Sequence, residues 1–154
     1  MLVIYVDGDG CPVKSEVYKV ASRYALDVRV VSHVPLRVPE SGRVEWVRVK
    51  QGFGAADDWI AEHIEEDDIA ITADIPLADR CLKRGARVVA PNGHFFTEAS
   101  IGDALASREL SDYLRQIGEI TGGPPPFAAA DRSRFLSRLD EVIVAVRRGK
   151  PGRR

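Results

Sequence analysis

Cysteine is scarce in this sequence of 154 residues, which contains only Cys11 and Cys81. The two lack the paired spacing of a zinc site, and a chain of this length buries a core large enough to fold without a disulfide. Long apolar runs are missing as well. No stretch approaches about 18 consecutive apolar residues, and no basic segment followed by a long apolar one stands at the amino terminus. We therefore expect a cytoplasmic protein that is neither secreted nor inserted into a membrane.

An excess of charge of one sign is also absent. Charged residues make up 29% of the chain, but the formal net charge is only −1. The chain is thus not a globally basic nucleic-acid-binding protein, and any contact with RNA has to come from a local patch. The candidates for such a patch are Arg37, Arg43, Lys83, Arg84, Arg87 and a basic tail over 148–154 that we predict to be flexible.

What the sequence does have is a strong signal near its start, where the apolar residues 3–6 lead directly into Asp7-Gly8-Asp9-Gly10. A β-branched apolar run predicts a buried parallel strand, and the switch to aspartate and glycine marks its carboxyl end. Ligands of open α/β sheets bind at that end of the strands. Two neighbouring carboxylates repel each other there, and a divalent cation such as Mg²⁺, Mn²⁺ or Ca²⁺ would relieve the repulsion.

The pattern that follows alternates strands with helices. Apolar residues at helical spacing over 13–24 follow the first strand, and Pro12 is placed in the first helical turn. Further strands are predicted over 28–31, 44–49, 69–72 and 87–90, and further helices over 55–64 and 77–83. This alternation predicts an α/β protein with a doubly wound, mainly parallel sheet of four to five strands.

From residue 93 onward the pattern is helical. Two apolar stripes that are out of phase predict a helix break near Ser107, which would cap the second helix. The last helix carries a stripe that includes Phe135 and Leu139, and we expect it to pack on the domain or against a second copy. We thus predict one domain over 1–147, of which 93–147 form a helical extension. A homodimer through the C-terminal helix is a candidate assembly.

An acidic residue ends a later strand in the way that Asp7 ends the first. Asp74 follows the strand over 69–72, and the carboxyl ends of parallel strands share one edge of a sheet, so Asp7, Asp9 and Asp74 should converge. Such a cluster can hold one or two Mg²⁺ or Mn²⁺ ions for the hydrolysis of a phosphodiester. The alternative is ordinary turn chemistry, in which aspartate bonds to the nearby backbone. Both interpretations also stay open for Asp79.

Other residues near this edge have two interpretations each. Asp57 and Asp58 fall in the first turn of a helix, where carboxylates commonly complement the helix dipole. Thr72 would either orient a metal-bound water or satisfy the strand end, and Lys14 would either meet a substrate phosphate or extend into solvent. Cys11 at a helix start is favoured as a structural thiol. The three histidines are not spaced in the sequence like the ligands of a metal site. We predict that they are polar surface or cap residues: His33, His63 and His94.

Several motifs in combination resemble the YaiI/YqxD family over nearly the whole chain. They are residues 7–14 (DGDGCPVK), 52–57 (GFGAAD), 71–78 (ITADIPLA), 122–124 (GGP) and 131–132 (DR). The family is similar to PIN-like domains, whose acidic cluster at the carboxyl edge of a parallel sheet binds divalent metal and, in active members, cleaves RNA. The resemblance therefore implies a PIN-like fold, metal-binding and catalytic roles for Asp7, Asp9, Asp57 and Asp74, Mg²⁺ or Mn²⁺ as the cofactor, and RNA as a candidate partner.

The chain departs from the family pattern at three glycines. Gly8 and Gly10 stand where the family usually has alanine, which we interpret as a looser loop with unchanged ligands. Gly54 stands where the family often has an acidic residue. This change removes one candidate ligand and leaves Asp58 as a substitute.

Three functions are compatible with this sequence. The first is metal-dependent hydrolysis of a phosphodiester, above all in RNA, and the second is a non-catalytic PIN-like module that binds metal or nucleic acid. The third is a haloacid-dehalogenase-like phosphatase, whose first motif also places two aspartates after an apolar strand. That enzyme needs a lysine and an acidic pair after Thr72, whereas Lys50 and residues 57–58 precede it. The order of these residues favours the hydrolase over the phosphatase.

Overall fold

The computed structural model describes residues 1–52, 54–119 and 126–149. Its strands are β1 (Val3–Asp7), β2 (Asp27–Ser32), β3 (Val44–Arg48), β4 (Ile69–Ile71), β5 (Arg87–Val89) and β6 (Phe95–Phe96). Its helices are α1 (Lys14–Arg23), α2 (Ala55–His63), α3 (Ile75–Lys83), α4 (Glu98–Gln116) and α5 (Ala129–Arg147). The motif at 122–124, the predicted connector around it, residue 53 and residues 150–154 of the tail lie outside the described residues.

The strands form one sheet in the order β3-β2-β1-β4-β5-β6. The first five are parallel, and β6 runs antiparallel to β5. The strands β1, β4 and β5 are short, mostly apolar and buried along most of their length, because helices cover both faces of the sheet. The structure therefore confirms a PIN-like, doubly wound, mainly parallel α/β fold.

The sheet has one strand more than the four to five predicted, since the chain does not become helical directly after Gly93. Phe95 and Phe96 pair with Val89 and Val88 and form the edge strand β6. A strand of two residues is too short to show the alternation of apolar and polar residues by which strands are recognised. The helical extension begins only after this strand.

Each face of the sheet has its own apolar core. Helices α1 and α5 cover one face, where Val17, Phe135 and Leu139 are buried. Helices α2, α3 and α4 cover the other face, where Ile60 and Leu77 are buried. No helix within the described ranges is long and apolar enough to cross a membrane.

The C-terminal helix packs on the sheet, which is one of the two placements that its apolar stripe predicts. Phe135, Leu139 and Ile143 have no exposure to solvent, and α5 contacts α1 and β5. Because these side chains belong to the core of their own chain, a homodimer through this helix would have to use its other faces, and it stays a prediction. The division into a domain over 1–147 and a basic tail also stays a prediction.

Helix α4 is continuous, and the predicted break near Ser107 is wrong. A capping box between Thr97 and Ser100 starts the helix, and no residue from 103 to 116 is glycine or proline. Three apolar residues at the end of α4 are more than half exposed: Leu110, Tyr113 and Ile117. The change of phase between the two stripes therefore marks where the helix stops packing on the domain, not where it ends.

Candidate active site

Asp7 is the last residue of β1, and the register of the sheet brings it beside the end of β4. Val6 pairs with Ile71, so the next residues along the two strands, Asp7 and Thr72, are neighbours. The Thr72 hydroxyl donates to Asp7 Oδ2 over 3.0 Å, and Thr72 Oγ1 accepts from the Asp74 amide over 3.0 Å. The buried Thr72 side chain thereby ties the two strand ends together.

Asp74 caps helix α3. Its Oδ1 accepts from the Leu77 amide over 2.9 Å and satisfies one of the free N–H groups at the helix start. Turn chemistry therefore accounts for this oxygen. The Asp74 carboxylate also raises the pKa of Asp7 and of Asp57, so it lies within electrostatic reach of both. We refer to Asp7, Asp9, Asp57 and Asp74 as the acidic cluster.

A cavity of about 190 Å³, the acidic cavity, opens at this edge of the sheet and is lined by Asp7, Asp9 and Asp57. Asp57 lies in the first turn of α2. The cap of that helix, Gly54, also lines the cavity and has a φ of 78°, a left-handed backbone that suits glycine. The cavity lies where β1 has β2 on one side and β4 on the other, which is the switch point at which doubly wound sheets bind ligands.

Burial and mutual repulsion raise the pKa of Asp7 to about 6. Loss of solvation is the largest cause, and the carboxylates of Asp57, Asp74 and Asp9 add to it, whereas the Thr72 hydrogen bond acts in the opposite direction. The pKa of Asp57 is raised as well, by burial first and then by Asp74. At neutral pH the ionised acidic cluster therefore costs free energy that a bound cation would offset.

Two residues that sequence reasoning did not place here also line the acidic cavity: His33 and Lys50. The His33 amide donates to Asp9 Oδ2 over 3.3 Å, and His33 Nδ1 lies 3.7 Å from the same oxygen. His33 directly follows β2, and Lys50 comes two residues after β3. The rule that ligands meet the carboxyl ends of parallel strands, when applied to these two strands as well, would have found both residues.

Two of the predicted supporting carboxylates do not line the acidic cavity. Asp58 Oδ1 pairs with Arg80 Nη1 at 2.8 Å, and the Asp58 side chain is 61% exposed. Asp79 Oδ2 pairs with Lys83 Nζ at 2.8 Å, one helical turn further along α3. In this arrangement Asp58 is not placed to substitute for a ligand at position 54.

Lys14 holds the loop after β1 instead of extending into solvent. Its ammonium donates to the carbonyl oxygens of Gly8 and Cys11 over 3.0 and 2.9 Å. Helix α1 begins at Lys14, two residues later than predicted, because Pro12 belongs to the turn that these bonds stabilise. Cys11 is buried, and burial raises the pKa of its thiol, in agreement with a structural role.

Gly8 is a tightly packed position, and its interpretation as a source of looseness is wrong. Its amide donates to the Val31 carbonyl over 2.8 Å. A Cβ at this position would lie 2.9 Å from Val30 Cγ1 and 3.1 Å from both the Val31 carbonyl oxygen and Leu36 Cδ1. A side chain here would require Val30 or the loop to shift by a few tenths of an ångström, because the loop after β1 lies directly on β2. Gly10, by contrast, has open space around it and a φ of 78°.

The donor atoms of the acidic cluster fit a hard divalent cation, but they do not form a complete cage. Within the described ranges, no group of three or more histidine, cysteine, aspartate and glutamate side chains is arranged to hold a metal ion. Carboxylate oxygens are nevertheless the ligands that Mg²⁺ and Mn²⁺ prefer. Mg²⁺ in particular is commonly held by one or two carboxylates together with waters and substrate phosphates. The residues present therefore fit a cation that binds together with a phosphate substrate.

Comparison with known proteins places the chain among bacterial relatives of similar length. A family model described as "Uncharacterized BCR, YaiI/YqxD family" matches residues 5–145. The chain is 58% identical to the UPF0178 protein RC1_2062 of Rhodospirillum centenum, with 97% of this chain and 100% of the relative covered. It is 57% identical to the UPF0178 protein amb2838 of Paramagnetospirillum magneticum, with 98% and 100% covered. The chain therefore belongs to the YaiI/YqxD family.

Proposed function

We propose that this protein is a divalent-metal-dependent phosphodiester hydrolase that acts on RNA. The observation that carries the proposal is the position of Asp7, a largely buried carboxylate at the switch point of the sheet with three further carboxylates close enough to raise its pKa. Such an arrangement is unfavourable on its own and becomes favourable when a cation is bound. Membership of a family that resembles PIN-like domains supports the same chemistry.

In this proposal Asp7, Asp9 and Asp57 would hold Mg²⁺ or Mn²⁺, because these three carboxylate residues line the acidic cavity. Asp74 would contribute through its charge while its Oδ1 continues to cap α3. When bound, the cation would neutralise charge on the scissile phosphate and lower the pKa of the attacking water. Thr72 positions Asp7, since its hydroxyl donates to Asp7 Oδ2.

Two further side chains of the acidic cavity would meet the substrate. Lys50 is exposed at the cavity wall, where its ammonium can pair with a phosphate oxygen. His33 lies beside Asp9, which places an imidazole at the same edge as the carboxylates. With Lys50, the acidic cavity has a positive group for the substrate beside the carboxylates that would hold the cation.

The experiment that tests this proposal is a cleavage assay on radiolabelled RNA with Mn²⁺. We expect wild-type protein to cleave RNA and Asp7→Asn to lose activity by at least the roughly 10- to 100-fold typical of damage around a metal ligand. Asp58→Asn is the matched control: it makes the same chemical change next to Asp57 but on a side chain that is paired with Arg80 and outside the acidic cavity. Equal activity of wild type and Asp7→Asn would contradict the proposal.

A second candidate is the non-catalytic module that binds nucleic acid or metal. The observation that favours it is the lack, among the described residues, of three ligating side chains arranged around one point. Under this alternative wild-type protein would bind RNA and leave it intact at every Mn²⁺ concentration. The cleavage assay therefore separates the two candidates.

The phosphatase is the weakest of the three functions. In that mechanism the hydroxyl at the end of the second motif strand has to donate to the substrate phosphate, and Thr72 is the residue at this place. A threonine hydroxyl has one proton, and Thr72 donates it to Asp7 Oδ2. This hydrogen bond argues for Thr72 as a support of Asp7 and against a phosphate-binding role.

A further inference from the structure

A second cavity, of about 410 Å³, lies at the end of β5. We call it the arginine groove, and it is lined by Asn92, Gly93, His94, Phe95, Arg134 and Arg138. The loop at 90–94 follows the carboxyl end of β5 in the same way that residues 8–13 follow β1 and residues 72–74 follow β4. Because all three strands are parallel, the arginine groove opens at the same edge of the sheet as the acidic cavity.

The first turns of α5 contact both the loop after β1 and the loop after β5. Arg132 Nη1 donates to the Pro12 carbonyl over 2.7 Å, in the loop after β1, and Arg134 Nη1 donates to the Asn92 carbonyl over 3.2 Å, in the loop after β5. Gly93 has a φ of 89°, and a Cβ there would lie 2.7 Å from Arg134 Cγ, so the loop packs directly against the helix. β5 is the second strand from β1, a separation of about 10 Å at the usual strand spacing.

The charge of the arginine groove suits phosphate groups. Two guanidinium groups line it, and its lining residues in the described part of the chain include no carboxylate. Arg134 and Arg138 are 50% and 44% exposed and pair with Asp131 and Glu141 at 3.1 and 3.4 Å. Exposed ion pairs of this kind contribute little free energy, so a phosphate can replace the carboxylate at small cost, and guanidinium groups bind phosphates with two parallel hydrogen bonds.

Aromatic rings accompany these arginines. The Arg138 guanidinium carbon lies 5.5 Å from the centre of the Phe95 ring, and the exposed His94 ring packs edge-on against Phe96 with 5.2 Å between ring centres. A positively charged groove with aromatic rings is typical of sites that hold single strands, where unpaired bases stack on rings while the backbone contacts the cations.

We propose that the arginine groove binds two backbone phosphates of a single-stranded nucleic acid and directs the strand towards the acidic cavity. The connection of this groove to cleavage rests on the proposed function, whereas binding itself does not. The acidic cavity repels a polyanion in the absence of a cation, and the arginine groove supplies the attraction that an acidic site lacks. The arginines therefore act as substrate-binding residues next to the reacting centre.

Binding is tested by fluorescence anisotropy with a labelled oligouridylate and the corresponding oligothymidylate, in EDTA so that no cleavage occurs. The test variant is Arg134→Gln with Arg138→Gln. Its matched control, Arg108→Gln with Arg115→Gln, removes the same two charges from exposed arginines of α4 that pair with Asp112. We expect the control to bind like wild type and the test variant to bind about tenfold more weakly at low salt. The plot of log affinity against log salt should become less steep by about 1.4, since each phosphate contact contributes about 0.7 on a single strand.

No binding by wild type, or equal loss in the test and control variants, would overturn the proposal. If the test variant fails to fold in circular dichroism, Arg138→Gln alone replaces it, because this change leaves the Arg134 bond to Asn92 intact, and the salt slope should then fall by about 0.7. Binding through the arginine groove without cleavage in Mn²⁺ would refute the proposed function and leave this inference standing. Cleavage with unchanged binding by the test variant would refute this inference alone.

Discussion

Asp7 lowers the stability of the metal-free protein at neutral pH, at a position where the proposed function needs a carboxylate. An ionised carboxylate in its position lacks full solvation and faces the other members of the acidic cluster, so its pKa rises from 3.8 to about 6. The folded protein therefore binds a proton at Asp7 more readily than the unfolded chain does. The resulting contribution to stability is present at low pH and is lost as the pH rises from about 4 to about 6.

Asp7→Asn should accordingly stabilise the metal-free protein at neutral pH. The whole pKa shift corresponds to about 3 kcal/mol, and we expect about 1–2 kcal/mol because part of the carboxylate contacts solvent. The asparagine side-chain oxygen can still accept the Thr72 hydrogen bond. Urea unfolding in EDTA at pH 7.5 and at pH 4 measures the effect. The gain should be present at pH 7.5 and nearly absent at pH 4, and an equal effect at both values would refute the pKa argument.

Gly8→Ala should destabilise the protein by about 1–3 kcal/mol, because its Cβ would lie 2.9 Å from Val30 Cγ1 and 3.1 Å from a backbone oxygen of β2. Gly52→Ala is the matched control, since a Cβ at that position meets no atom within 4 Å. Urea unfolding midpoints of the two variants provide the comparison. A Gly8→Ala midpoint equal to that of wild type would show that the loop after β1 is free to move away from β2.

At the scale of elements, most of the fold follows from periodicity and part of it does not. Apolar runs and helical spacing predict β1 to β5 and α1 to α3, and the strand-end rule brings Asp7 and Asp74 to one edge. Strand β6 has only two residues, so it cannot show the alternation of apolar and polar residues that predicts a strand. The ion pair of Asp58 and the loop contacts of Lys14 depend on how neighbouring elements pack, and a local pattern does not contain that information.

Ser107→Ala tests the continuity of α4 through the sign of its effect. In a helix interior alanine is favoured over serine by about 0.5 kcal/mol, whereas at a helix cap the same change costs about 1 kcal/mol. Ser107 lies inside the helix Glu98–Gln116, so we expect a small gain in thermal stability. A loss of about 1 kcal/mol of stability would instead indicate that Ser107 caps a helix, as the two apolar stripes predicted.

At the scale of the whole molecule, the proposed chemistry lies at the carboxyl edge of the sheet, and the apolar cores that stabilise the fold lie on its two faces. The loops after β1, β2, β3 and β4 and the first turn of α2 supply the acidic cluster with His33 and Lys50, and the loop after β5 joins α5 to form the arginine groove. Both faces are occupied by apolar cores. A protein with a net charge of −1 can thus offer negative and positive sites side by side on one edge.

The central claim, that the acidic cluster is a cation site, is tested most directly by calorimetric titration of Mn²⁺ at pH 7.5, with and without a phosphorothioate oligonucleotide that resists cleavage. The pH lies above the raised pKa of Asp7, so the Asp7 carboxylate is ionised. We predict that wild type and Asp58→Asn bind Mn²⁺ alike, more tightly when the oligonucleotide is present, and that Asp7→Asn binds at least about tenfold more weakly. Equal binding by all three proteins, or no binding by wild type even with the oligonucleotide, would contradict the claim.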